Sequence, residues 1–336
     1  MDSTISDVAK LAKVSPSTVS RVIHNSPRIS DQTKNRVREA MKSLGYHPNA
    51  AARSLVRGET KTIGLIIPNS ENDLFFRPFF IMAMRGISIE AQKQGYNIMY
   101  AFSTSQPEEV EFLQRFVQRS LVDGIILMAA RQHDSCMEYL ESREVPYAVI
   151  GHPGHEYPNA MWVDNDNFKA MYDVTATLFG LGLRRIAFLG GVPEMSVTRD
   201  RLRGYKEAFT THEIDIDQEL IHTSSGFQEE DGYQGAKELL KKAAPEAFAA
   251  ADDLLALGAL QYMEEENIRL PIIGFNNTIK GSIQHPTLSS VDILPDQLGI
   301  QAAELLIKRL KNEPLSTNFR IVDTCLIERE TTLFFR

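Results

Sequence analysis

The sequence predicts two folds in series: a short all-helical head, then a long α/β body built as two parallel-sheet lobes. Three observations carry this reading. Within residues 1–46, apolar residues recur at helical spacing in three short runs separated by capping and breaking residues. From residue 61 onward, short apolar strands alternate with amphipathic helical stretches, the pattern of parallel sheets covered by helices on both faces. Charge is also divided. Residues 1–60 hold 10 Lys and Arg against 5 Asp and Glu, which leaves 26 against 39 for the rest of a chain whose totals are 36 and 44.

With 336 residues the chain has room for two or three domains. At 43% hydrophobic and 24% charged residues, its composition is that of an ordinary globular protein. No apolar run approaches the ~18 residues of a membrane helix, and "MDSTISDVAK" lacks the basic-then-apolar order of a secretory signal. Cys136 and Cys325 lie far apart without metal-type spacing and read as reduced thiols of a cytoplasmic protein. The net charge of −8 argues against a nucleic-acid partner only if averaged over the whole chain. A basic head on an acidic body is what is expected when one end alone meets phosphate.

In the head, Thr4 and Asp7 form a capping-box variant that opens a helix over Ile5 to Ala12. Ser15-Pro16 places an N-cap before a proline at the first helical position, so a second helix runs from Pro16 to Ile23. Asn25, Ser26 and Pro27 break it. Ser30 caps a third helix over Asp31 to Leu44, and Gly45 closes it as the left-handed residue past the end. Two short helices joined by a tight turn, then a supporting third, is the helix-turn-helix layout. Val19, Val22 and Ile23 pack inward. Pro16, Ser17, Thr18 and Arg21 are left to enter a DNA major groove, where a guanidinium reads guanine and hydroxyls reach bases or phosphates. A plain helical bundle with a solvated face shares this pattern. After Gly45, Asn49 can cap a short alanine-rich stretch from Ala50 to Leu55 that Gly58 ends. Such a stretch with one exposed leucine suits a minor-groove wedge, or equally a linker.

Three segments, "TISDVAKLAKVSPSTVSRVIH", "VREAMKSLGYHPNAAARSL" and "KTIGLIIPN", resemble the lactose/galactose-repressor family of bacterial transcription regulators. The resemblance implies that Pro16, Ser17 and Arg21 read bases. It implies backbone contacts from Thr4, Ser15, Ser20, Asn25, Ser30, Thr33 and Asn49, and hinge contacts from Ala52 and Leu55 in the minor groove of a palindromic operator bound by a homodimer. Lys13 departs from the glycine that many members carry in the turn. The implied divisions are a helix-turn-helix domain at 1–46, a hinge helix and linker at 47–60, and an effector-binding and dimerisation domain at 61–336.

In the body, "TIGLIIP", "YNIMYAFS", "VDGIILMAA" and "VPYAVIG" read as strands. Helices are expected near Phe80–Gln94 and Glu108–Arg119, with another before "VPYAVIG". A second series starts with a helix near Asn167–Leu181, then "RRIAFLGG", and later "DLLALGALQYMEEE" and "LPIIGFNN". Ligands of such sheets sit at the carboxyl ends of the strands, and two lobes suggest a cleft between them. The resemblance makes the body similar to a periplasmic sugar-binding protein. Lobe 1 would span about 61–162 and 292–323, and lobe 2 about 163–291 and 324–336. Crossovers would lie near Trp162–Val163, Ser290–Asp292 and Val322–Thr324.

By the same resemblance, Phe79, Phe80, Arg201, Phe227, Asp252 and Asn276 line an effector site. Carboxylate, amide and guanidinium groups suit sugar hydroxyls, and aromatic faces suit the apolar side of the ring. Taken singly, the three phenylalanines read as core residues. Met128 and Gly151 stand where some members carry polar ligands, and "IRLPIIGFNN" is short between proline and strand. "GLGLRR" at 180–185 precedes a strand and lacks a third glycine, so it is no dinucleotide loop. "HPGH" at 152–155 lacks a third metal ligand.

The chain is thus identified with a cytoplasmic, sugar-responsive transcriptional repressor, without catalytic residues, cofactor, metal or membrane partner. The resemblance carried by "IGFNN" implies maltose or a related α-glucoside. The alternative in the same family is a global carbon-catabolite regulator whose corepressor is a phosphorylated carrier protein, for which the helix "ELLIKRLKNE" is basic enough. A plain solute-binding protein is disfavoured by the added head and the missing signal. An enzyme with a Rossmann-like body is disfavoured by the lack of a phosphate loop.

Overall fold

The computed structural model describes residues 3–23, 25–46, 59–68, 78–154 and 156–336, which divide into a unit Met1–Lys61 and a unit Thr62–Arg336. The expected hinge residues Asn49, Ala52 and Leu55 lie outside the described residues.

The first unit is built from helices α1 (Ile5–Ala12), α2 (Pro16–Ile23) and α3 (Asp31–Ser43). The Thr4–Asp7 capping box is closed: Thr4 N donates to Asp7 Oδ2 (2.9 Å) and Asp7 N to Thr4 Oγ1 (3.3 Å). Donation from Thr4 Oγ1 (2.6 Å), and then from Thr4 N, holds the Asp7 carboxyl below the usual range. Lys13 ends α1 at φ 52°, ψ 50°, which explains why glycine suits the position: without a Cβ the left-handed conformation carries no steric cost. Ser15 Oγ accepts from Thr18 N (3.2 Å) to open α2, and Ser30 Oγ accepts from Thr33 N (3.4 Å) to open α3. Val8, Ala9, Ala12, Val19, Val22, Val37 and Ala40 form the buried core, so α2 is anchored by one face only.

Along the chain, the second unit runs β1 (Thr62–Pro68), α4 (Pro78–Lys93), β2 (Asn97–Ser103), α5 (Gln106–Gln118), β3 (Gly124–Leu127), α6 (Ser135–Ser142), β4 (Tyr147–Ile150) and β5 (Met161–Asn165). It continues with α7 (Asn167–Gly180), β6 (Ile186–Gly190), α8 (Ser196–Thr211), β7 (Ile221–Thr223), α9 (Glu229–Lys242), β8 (Ala247–Ala250), α10 (Asp253–Glu265), β9 (Ile272–Phe275), α11 (Ile279–Ile283) and β10 (Ser289–Asp292). Then come α12 (Pro295–Leu310), β11 (Phe319–Val322), β12 (Cys325–Ile327) and α13 (Glu330–Leu333). One sheet has the order β11-β5-β4-β3-β1-β2, with every neighbouring pair parallel. The other has the order β12-β10-β9-β8-β6-β7, parallel except for β10 with β12.

The central strands of both sheets are buried on both faces, as their near-continuous apolar sequences require. Successive residues of β1 alternate: Ile63, Leu65 and Ile67 pack on one core with α4 and α12, and Ile66 on the other with α5 and α6. In the second lobe, Ala187 and Leu189 face α9 and α10, while Ile186 and Phe188 face α7 and α8. The α9–α10 pair touches backbone to backbone. A Cβ on Gly258 would lie 1.8 Å from the Glu229 carbonyl oxygen, so only glycine fits there.

Three passages join the sheets, and two lie later than the sequence reading placed them. Trp162 and Val163 are inside β5, paired with Phe319 and Arg320, so the first lobe runs on to Asn165. The apolar run ends at Val163, but pairing with β11 extends the strand through its polar end. Ser290 to Asp292 are inside β10, and the second passage follows at Ile293–Leu294, where Leu294 turns left-handed (φ 49°) before Pro295 starts α12. The third passage lies between Val322 and Cys325.

Candidate functional site

The strand ends of both lobes converge on a cavity of about 120 Å³. Its lobe 1 wall is largely apolar: Phe79 and Phe80 at the start of α4, Met128 to Ala130 after β3, and Ile150 at the end of β4. The lobe 2 wall carries Ser196, Arg201, Asp252, Asn276 and Thr278 with Phe227. The structure therefore brings Phe79, Phe80, Arg201, Phe227, Asp252 and Asn276 to one lining. Phe79 and Phe80 meet edge to face with centroids 5.3 Å apart. Phe80 also belongs to the lobe 1 core, so the core reading and the lining reading of that residue are both satisfied.

Arg201 is buried on α8 and held in three ways. Nε donates to Asn167 Oδ1 (2.9 Å), Nη1 donates to the Ala251 carbonyl (2.5 Å), and the guanidinium lies 3.9 Å from the Phe275 ring centroid. Nη2 has no hydrogen-bond partner among the described residues. Burial lowers the pKa to about 10 against the pull of Asp252, Asp164 and Asp253, so the group stays cationic at neutral pH. Asp252 caps α10: Oδ1 accepts from Leu254 N (2.8 Å) and Oδ2 from Asn276 Nδ2 (2.7 Å). Asn276 sits at φ 101°, a conformation L-residues rarely adopt, and backbone strain of this kind is held where surroundings over-determine it.

Sequence reading missed Asp164, Asn165 and Asn167, which the structure adds to the lining. Asp164 accepts from His152 N (2.9 Å), Asn165 N (2.8 Å) and Asn167 Nδ2 (2.8 Å). Burial nevertheless pushes its carboxyl up to about 7. The signal was present in "WVDNDN", a polar run at a strand end like that of "GFNN", but it was hidden by placing the crossover too early. Met128 and Gly151 line the cavity without offering a polar side chain.

The two lobes also touch through backbone at the rim. Ser196 N donates to the Ala130 carbonyl (3.1 Å) and Gln132 N to the Glu194 carbonyl (3.1 Å), flanking an antiparallel bridge between Arg131 and Met195. Arg131 is fixed by a bidentate pair with buried Glu109, both contacts 2.8 Å.

In the first unit, Pro16, Ser17 and Arg21 are exposed on the side of α2 opposite Val19 and Val22, and Ser20 is half-buried. Ser15 Oγ lies 2.8 Å from Ser17 Oγ. Thr4 serves its capping box, and Ser30 Oγ donates to Thr33 Oγ1 (3.0 Å) at the N-terminus of α3, where unpaired N–H groups favour anions. Asn25 is left-handed (φ 49°) and accepts from Arg38 Nη2 (3.4 Å). The face carries hydroxyls, one guanidinium and helix N-termini: donors for phosphates and for base edges. On the basic helix "ELLIKRLKNE", Lys308 is paired with Glu304 and Lys311 with Gln94.

A helix-turn-helix unit continuous in sequence with a two-lobed α/β unit around an interlobe cavity defines a one-chain regulator, in which a small-molecule site and a DNA-binding head share a polypeptide. Residues 4–49 match the family described as bacterial regulatory proteins, lacI family, and residues 175–332 match the periplasmic binding protein-like domain. The HTH-type transcriptional regulator MalR of Streptococcus pneumoniae is 37% identical over 312 residues, 92% of this chain and 93% of its own. A transcriptional regulator CelR–cellobiose complex matches with TM-score 0.76 at 29% identity, covering 98% of this chain and 99% of that one. A structure described as a "probable maltose operon transcriptional repressor malR" from Staphylococcus matches with TM-score 0.73 at 25% identity, over 82% and 99%. The chain belongs to the lacI family of bacterial regulatory proteins. Among the described residues no helix is long and apolar enough to cross a membrane.

Proposed function

We propose that this chain represses a sugar-utilisation operon by binding a palindromic operator as a homodimer, under the control of a neutral glucoside held between the lobes. Pro16, Ser17 and Arg21 are the base-reading residues. Thr4, Ser15, Ser20, Asn25, Ser30 and Thr33 place the head on the phosphate backbone. Asn49 is assigned to a backbone contact, and Ala52 and Leu55 to the hinge, by resemblance alone. One observation carries the effector assignment: Arg201, Asp252 and Asn276 on the lobe 2 wall face the aromatic and apolar lobe 1 wall. A sugar ring has that division, with hydroxyls at its edge and an apolar face. The names of relatives support a glucose disaccharide, with the maltose-operon names and the resemblance in "IGFNN" on the side of maltose.

A melting-temperature screen of the full chain against maltose, cellobiose, glucose and ribose tests this. We expect maltose to raise the melting temperature most, and to change the affinity for an operator selected by the chain from random DNA. A response to none of the four sugars overturns the effector assignment.

A further inference from the structure

Three passages join the lobes, and one buried side chain touches all of them. Asn165 ends β5 on the first passage. Its Nδ2 donates to the carbonyl of Ile293 on the second passage (3.1 Å) and to the carbonyl of Val322, the last residue before the third (2.9 Å). A carboxamide nitrogen carries two protons, and here each goes to a different crossing strand. No apolar residue of the same shape can do this, and a carboxylate would set a negative charge against two carbonyl oxygens. Asn165, Ile293 and Val322 are all buried, so water does not replace these bonds cheaply.

The same residue is wired to the cavity. One position earlier, Asp164 lines the cavity and accepts from the Asn165 backbone N–H. Two positions later, Asn167 donates to Asp164 and accepts from Arg201 Nε. Ile293, whose carbonyl Asn165 holds, lines the cavity as well. A ligand drawing on Arg201 or Asp164 therefore acts on side chains bonded within two residues of the point where the passages meet.

We propose that Asn165 is the positioning residue that makes the three passages turn as one hinge, so that a ligand in the cavity moves the lobes as rigid bodies. This rests on the sugar-responsive reading above. With the amide removed, the lobes still fold on their own cores and the cavity keeps Arg201, Asp252 and Asn276, but each passage bends independently and ligand binding is not transmitted.

The test uses the full-length chain with Asn165→Leu, and Asn165→Ser, which keeps one donor, should the leucine variant not fold. Operator affinity is measured with and without saturating maltose, and again with cellobiose. At saturating sugar, the parent should change its operator Kd by about 5-fold or more and the leucine variant by less than about 2-fold. A separate readout needs no ligand: the interlobe distance between spin labels at Ser142→Cys and Thr211→Cys in a Cys325→Ser background. It should broaden in the variant. Operator coupling equal to the parent's overturns the proposal even if the melting temperature falls, since the amide would then be only a brace. If neither sugar acts on the parent, the sugar reading fails and the label distance alone decides; an unchanged width overturns the hinge assignment.

Discussion

At the scale of single residues, burial decides what each charge in the cavity can do. Arg201 is oriented by Asn167, the Ala251 carbonyl and Phe275, so in the proposed effector site its remaining NH2 would bind without first losing side-chain freedom. Arg201→Ala should abolish the sugar response and destabilise the body by roughly 1–3 kcal/mol for each acceptor left unpaired. Operator affinity should persist, because the head has its own core. Operator and sugar titrations check this, and loss of operator binding by a folded variant would contradict the separation of roles. Asp164 and Asp253, both raised by burial to about 7 from 3.8, make the body pH-sensitive. Between these two values the folded state holds protons that the unfolded state has released, so stability falls as pH rises through that window. The melting temperature should drop from about pH 5 to about pH 8, and Asp164→Asn should flatten part of that slope.

At the scale of elements, what matters is where a helix begins. Ser196 is the first residue of α8, and its N–H serves the Ala130 carbonyl of the other lobe instead of the helix. Proline is tolerated at that position. Ser196→Pro should therefore leave α8 intact while removing both the N–H bond and the Oγ bond (3.3 Å) to the Ala130 carbonyl. Ser196→Ala loses only the Oγ bond and keeps the N–H, so the difference between the two variants isolates the backbone bond. We expect the proline variant to bind maltose about 3- to 10-fold more weakly than the alanine variant, the loss of one hydrogen bond near 1 kcal/mol. Equal affinities in calorimetry would show that the rim contact does not contribute to ligand binding. Lys13 illustrates the same dependence on helix ends. Its left-handed conformation is set by the α1 terminus, and the lysine accepts a cost that glycine avoids.

At the scale of the whole molecule, one polypeptide carries two binding functions, and their coupling is constrained by thermodynamics. If the sugar changes operator affinity by some factor, operator DNA must change sugar affinity by the same factor. Titrating maltose into the chain alone and into its operator complex should give Kd values whose ratio equals the ratio of operator Kd values without and with maltose. Unequal ratios would mean that a further state or partner enters the equilibrium. The divided charge predicts a separate behaviour for the head. Its basic excess should make operator binding weaken steeply with salt, whereas sugar binding in an acidic body through a neutral ligand should not.

How much of this was legible in the sequence follows from the range of the forces involved. The three head helices were readable because caps and breakers act within four residues: Thr4 with Asp7, Ser15 before Pro16, Ser30 with Thr33. The α/β alternation was readable because strands buried on both faces must be apolar throughout. The lining residues Arg201, Asp252 and Asn276 were reached through resemblance, since nothing local distinguishes them from other polar residues at strand or helix ends. The end of β5, the place of the second passage and the role of Asn165 were not legible. Each depends on a partner distant in sequence: β11 extends β5 through its pairing, and the Asn165 amide meets carbonyls 128 and 157 residues away. Local propensity alone determined the elements and their order; only tertiary pairing decided where one lobe stops and which buried amide joins the three crossing strands.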